Sequence, residues 1–138
     1  GYQPTMFGVD GFDGLLGVEN FDVSLAEGVY LLTPFAADSD DAATKSFVSK
    51  YEEQYSGTPN QFAADAYDAV YIIKQALEAK NATPDMSTSD LCEALKAAMT
   101  EIEASGLTST KMTWEANGEP NKEPKAVVIK DGAYVSAS

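Results

Sequence analysis

The sequence contains no histidine and a single cysteine, Cys92. Without histidine it lacks the usual Ser–His–Asp triad, the commonest zinc ligand and the side chain that titrates near neutral pH. One cysteine cannot form a disulfide within the chain. Cys92 falls in a helical pattern with no cationic neighbourhood, so it reads as a small buried packing residue rather than a reactive thiol. No apolar run approaches membrane-spanning length, and no signal peptide is recognisable. Basic residues are scarce: nine Lys and Arg stand against 22 Asp and Glu, a net charge of −13. Such a chain is unsuited to nucleic acid or to an anionic membrane surface, because both need clustered cations. The chain opens on Gly-Tyr-Gln-Pro rather than Met, which reads as a piece of a longer gene product.

What is present is a globular composition, and 138 residues predict one compact region with a modest core. "TMFGV" (Thr5–Val9) reads as a short buried strand, and "DGFDGLLG" as a loop into one or two helical turns. A second strand, Gly28–Thr33, is stopped by Pro34. A cap at Ser39 or Asp40 starts a helix to about Tyr55, with an apolar stripe of Phe47, Val48, Tyr51 and Tyr55. Asn60 caps a helix over Gln61–Ala79, whose stripe is Phe62, Ala66, Tyr67, Val70, Ile73, Ala76 and Leu77. Ser87-x-x-Asp90 opens a third helix carrying Leu91, Leu95, Ala98, Met99 and Ile102 on one face. Strands are expected at Lys111–Trp114, Ala126–Ile129 and Tyr134–Val135. The class is α/β, with three helices flanked by short strands. A self-contained doubly wound fold would alternate its elements, and this chain does not.

Asp10 stands between two glycines at the end of the first strand, where a metal loop, an acid/base group and a ligand grip would look alike. Neither Asp10 with Asp13 nor Asp38 with Asp40 and Asp41 has the alternate spacing and closing Glu of a calcium loop. The second group reads as helix capping. Asp65 and Asp68 share a helical face and, lacking a nucleophile or base partner, read as solvated. Asn81-Ala82-Thr83 matches a glycosylation sequon followed by Pro84. Trp114 and the tyrosines read as core and interface residues, since no basic groove accompanies them. No metal or cofactor is expected, and no enzymatic equipment is visible.

"FVSKYEEQYSGTPNQFAADAYDAVYIIKQAL", Phe47 to Leu77, resembles a signature of the extracellular substrate-binding proteins of branched-chain-type amino-acid ABC transporters. These belong to the periplasmic binding protein type I superfamily. The matching residues are Phe47, Tyr51, Tyr55, Gly57, Pro59, Phe62, Ala66, Tyr67, Asp68 and Ala69. "MFGVDGFDG", "EGVYLLTPF" and "TKMTWEANGEPNKEPKAVVIKDGAYV" are similar to further family segments in the same order.

The resemblance implies the C-terminal part of a two-lobe fold, with residues 1–33 and 119–138 in the second lobe and 34–118 in the first. It implies capture of an amino acid, aliphatic or branched-chain, for the membrane subunits of an ABC importer, outside the cytoplasm. A ligand-sensing regulator or receptor of the same fold is the alternative. Asp10 would face the cleft at a strand's carboxyl end and accept hydrogen bonds from a ligand ammonium. Gly11 and Phe12 would adjoin it, and Phe62 would close over the ligand side chain. Read from its residues alone, Asp10 could instead cap the following turn. The isolated chain, with apolar stripes uncovered, is expected to form a homo-oligomer or exchange segments between copies.

Overall fold

A computed structural model describes residues 4–137. Its chain order is β1 (Phe7–Gly8), β2 (Tyr30–Thr33), α1 (Ala42–Tyr55), α2 (Gln61–Ala79), α3 (Thr88–Met99), β3 (Lys125–Lys130) and β4 (Ala133–Ser136). Single 3-10 turns at Asp10–Phe12, Leu15–Gly17 and Val23–Ala26 fill the connection between β1 and β2. The strands form one sheet in the order β1-β2-β3-β4. β1 and β2 are parallel, while β2–β3 and β3–β4 are antiparallel.

Contacts divide the chain into two compact units, residues 1–64 with 124–138 and residues 65–123, where length alone predicts one. In the first unit one face of the sheet carries the core. Leu31, Val127 and Ile129 are buried with Ala26, Val29 and Ala36, and Leu15, Leu16, Phe21 and Tyr134 pack against them. The alternation in β3 follows the two-residue period of a strand covered on one side. The other face stays open: Phe7 is 74% exposed and stacks on Tyr30 at 5.5 Å between ring centroids. The expected stripe of α1 forms an aromatic run, with Phe35 edge-on to Phe47, Phe47 against Tyr51 and Tyr51 against Tyr55.

The acidic segment before α1 is more divided in its work than capping alone. Asp41, rather than Ser39 or Asp40, is the N-cap, its Oδ2 accepting the Thr44 N–H at 2.8 Å. Asp40 pairs with Lys45, and Asp38 accepts both the N–H and the hydroxyl of Ser136. The sequence offers Ser39 and Asp40 as caps, and the helix starts one residue later, behind Asp41.

In the second unit Ala76, Ala98 and Ile102 form the core, with Ile72, Leu95, Met99 and Trp114 packed on it. Ser87 caps α3 as expected, accepting the Asp90 N–H at 3.1 Å. Three expectations fail here. Cys92 is exposed, because the buried face of α3 is set by Leu95, Ala98 and Met99. The expected strand Lys111–Trp114 is reduced to single bridges, Ala104 to Met112 and Trp114 to Pro120. Asp68 is not solvated but 3% exposed: its carboxylate accepts the N–H groups of Leu107 and Thr108 and the Thr108 hydroxyl at 2.7–2.9 Å. Asp65, half-exposed, pairs with Lys122 instead.

Most of the stripe assigned to α2, from Phe62 to Ile73, is likewise turned outward, while its last members Ala76 and Leu77 are buried and half-buried. Phe62, Val70 and Ile73 are 49%, 66% and 50% exposed, whereas Gln61, Ala64, Asp68 and Ala76 are buried. Small alanines and a fully hydrogen-bonded carboxylate occupy the close-packed face, so hydrophobicity alone identifies the wrong side.

Candidate functional site

β1 ends at Gly8, and the chain turns through Val9 into the 3-10 turn Asp10–Phe12. A Cβ at Gly8 would lie 2.5 Å from Phe12 Cγ, so the ring of Phe12 rests against bare backbone. Asp10, first residue of the turn, is exposed, and its Oδ1 accepts the N–H of Gly11 at 3.0 Å. It does not occupy the capping position, which is held by Val9. Gly11 is exposed as well, and Phe12 is partly so.

Three side chains fix this loop. Asp13 is buried, and its Oδ2 accepts the backbone N–H of Gln61 at 2.7 Å. Gln61 in turn donates from Nε2 to the carbonyl of Asp10 at 3.2 Å. Tyr134, brought by β4, accepts from the N–H groups of Gly14 and Leu16 and donates to the carbonyl of Phe12 at 2.9 Å. Asn60 Oδ1 accepts the Ala63 N–H, so Asp13 and Asn60 together satisfy the open end of α2. Burial pushes the Asp13 carboxyl above its ordinary range, an effect opposed by the N–H groups of Gln61 and Gly14. Burial also raises the Tyr134 phenol.

Asp10, Gly11 and Phe12 thus lie on a loop bonded directly to the first residue of α2, and Phe62 is the next residue of that helix. The loop and the helix start present an exposed carboxylate and two partly exposed rings. This arrangement suits a cation with an attached apolar body. Sequence reasoning missed the supports. The sequence alone presents Asp13 as part of an unsuitable calcium spacing, Gln61 as a helix start and Tyr134 as a strand and core or interface residue. The available signal was polar side chains at a helix start and after the Asp131-Gly132 turn.

A cavity of about 540 Å³ opens nearby, lined by Asp13, Thr33, Phe35, Asn60, Val127 and Tyr134 among others. Its polar side chains are already engaged, Thr33 with the backbone of Phe35, Thr58 with Glu52, and Asp13, Asn60 and Tyr134 as described above. Among the described residues no three Cys, Asp or Glu side chains converge to hold a metal, and no helix is long and apolar enough to cross a membrane.

The sheet is thus covered on one face, and its parallel strand β1 ends in a carboxylate-bearing loop tied to the start of α2. The chain belongs to the periplasmic binding protein family, whose sequence model matches residues 3–133, and it matches part of the type I fold. A putative branched-chain amino acid ABC transporter from Rhodospirillum rubrum is similar at 26% identity and TM-score 0.62, over 99% of this chain and 38% of that one. The branched-chain amino acid transporter substrate binding protein LivJ from Streptococcus pneumoniae, solved with isoleucine, is 22% identical with TM-score 0.77, over 99% and 37%. An extracellular ligand-binding receptor from Rhodopseudomonas palustris is 18% identical with TM-score 0.79, over 100% and 42%. The chain therefore spans well under half the length of these solved structures. No curated protein matches the sequence.

Proposed function

We propose that this chain is part of an extracytoplasmic solute-binding protein that captures an aliphatic or branched-chain amino acid and delivers it to the membrane subunits of an ABC importer. Binding rather than catalysis is the reading. The carrying observation is that Asp10, Phe12 and Phe62 are exposed on two segments joined by the Gln61–Asp10 hydrogen bond. Asp10 accepts the ligand ammonium, Gly11 allows close approach, and Phe12 and Phe62 cover the apolar side chain. Residues 1–33 and 119–138 belong to one lobe and 34–118 to the other. The single sheet supports grouping 1–33 with 119–138, because its strands come from those two segments, although residues 34–64 fall in the same compact unit.

Calorimetric titration of the protein carrying this chain tests the reading. Asp10→Ala removes a charge-assisted bond and weakens leucine binding by roughly 1.5–3 kcal/mol, about one to two decades. Phe62→Ala penalises leucine more than glycine, because it removes apolar contact and leaves the polar grip. An unchanged dissociation constant in Asp10→Ala would refute the assignment.

A further inference from the structure

Gln61 is the first residue of α2 and is 1% exposed. Its backbone N–H is taken by Asp13, and its side-chain Nε2 donates to the carbonyl of Asp10. The other end of the amide, Oε1, is buried and has no hydrogen-bond partner among the described residues. Turning the amide over would set its oxygen against the Asp10 carbonyl, two acceptors face to face. The orientation is therefore fixed by the Asp10 backbone, and Oε1 is left buried with no partner among the described residues.

For stability alone this is a poor choice of residue. A buried unmatched acceptor forfeits hydration, whereas an unbranched apolar side chain of similar length would fill the space without that loss. What glutamine supplies and methionine cannot is the tie to the residue that bears the exposed carboxylate. Asp13 already caps the helix through the backbone N–H of residue 61, a bond that any residue except proline can make.

We infer that Gln61 is a positioning residue for ligand binding: its amide holds the Asp10 carboxylate at a fixed place beside Phe62, at the expense of its own unpaired oxygen. The inference rests on the reading of Asp10 as the ammonium acceptor. Gln61 itself does not touch the ligand. It acts by keeping the loop from sampling positions in which the carboxylate and the ring cannot engage one molecule together.

The test uses the protein carrying this chain, with leucine as the probe, and compares Gln61→Met, Asp10→Ala and the double variant. Gln61→Met is expected to melt at or above the parent's temperature while binding leucine about 5- to 10-fold more weakly, the worth of one modest hydrogen bond. In the Asp10→Ala background the same change should alter leucine affinity less than about twofold, because the group being positioned is gone. A lower melting temperature with unchanged leucine affinity would assign Gln61 a structural role and overturn the inference. So would an equal loss in both backgrounds. Unchanged affinity in Asp10→Ala alone would mean that the site reading itself fails, taking the inference with it.

Discussion

The carboxylate of Asp13 accepts the backbone N–H of Gln61 at 2.7 Å, so α2 is capped by a residue 48 positions earlier in the chain. Helix caps are usually local, and a distant one couples helix formation to the placement of a loop. Here that loop carries Asp10 and Phe12.

Asp13 should leave a pH signature. Its carboxyl lies above the usual value mainly because of burial, so the folded state holds the proton more tightly than the unfolded chain. Folding stability from this group is greatest below the unfolded value and falls as pH rises through the raised folded value. Asn in its place keeps an acceptor for the Gln61 N–H without a buried charge. Asp13→Asn should therefore match or exceed the parent's stability at neutral pH, with the difference closing as pH falls through the Asp13 titration. Asp13→Ala removes the acceptor for the Gln61 N–H, leaving only the Asn60 cap, and should cost about 1–2 kcal/mol. Thermal melts at several pH values decide; a gap between Asp13→Asn and parent that is independent of pH would contradict the argument.

Tyr134→Phe removes one hydroxyl and with it three hydrogen bonds to the loop. Loss of roughly 1–3 kcal/mol is expected, since two N–H groups and a carbonyl lose their partner. Hydrogen exchange should report faster exchange at Gly14 and Leu16, with the helix amides of α3 little changed.

Asp68 and Gly106 form a second tight pair. A Cβ on Gly106 would collide with the Asp68 carboxylate, which the loop N–H groups of Leu107 and Thr108 enclose. Asp68→Ala leaves those N–H groups unpaired and should cost about 1–3 kcal/mol or more. Gly106→Ala should also destabilise, and combining the two should cost less than their sum, because each disrupts the same contact. Chemical denaturation of the four proteins measures that coupling.

The 138-residue chain on its own exposes Phe7, Leu25 and Val70 to 74%, 75% and 66%, a large apolar area for so small a protein. It is expected to self-associate at micromolar concentration. Light scattering that finds a compact monomer with a cooperative melt would rule this out.

Legibility in the sequence followed the range of the interaction. The three helices, the caps Asn60 and Ser87 and the apolar face of α3 depend on neighbours within a few residues, and their patterns were readable. The buried side of α2 was not, because Asp68 becomes a core residue only through a loop 39 and 40 positions away. Cys92 shows the same limit from the other direction: a residue type that favours burial sits on a turn of helix facing water. At the candidate site Asp10, Gly11, Phe12 and Phe62 are proposed from the resemblance, whereas the bonds through Asp13, Gln61 and Tyr134 join segments 48 to 122 residues apart and leave no local pattern.

The bare backbone at Gly8 is what seats the ring of Phe12. The Phe12 ring lies where a side chain at position 8 would begin. A methyl added there would meet Phe12 Cγ at 2.5 Å and Cβ at 3.0 Å, so both the ring and the turn that carries it would have to give. Glycine at position 8 is thus a condition for the Phe12 ring to lie as it does, set four residues earlier in the chain.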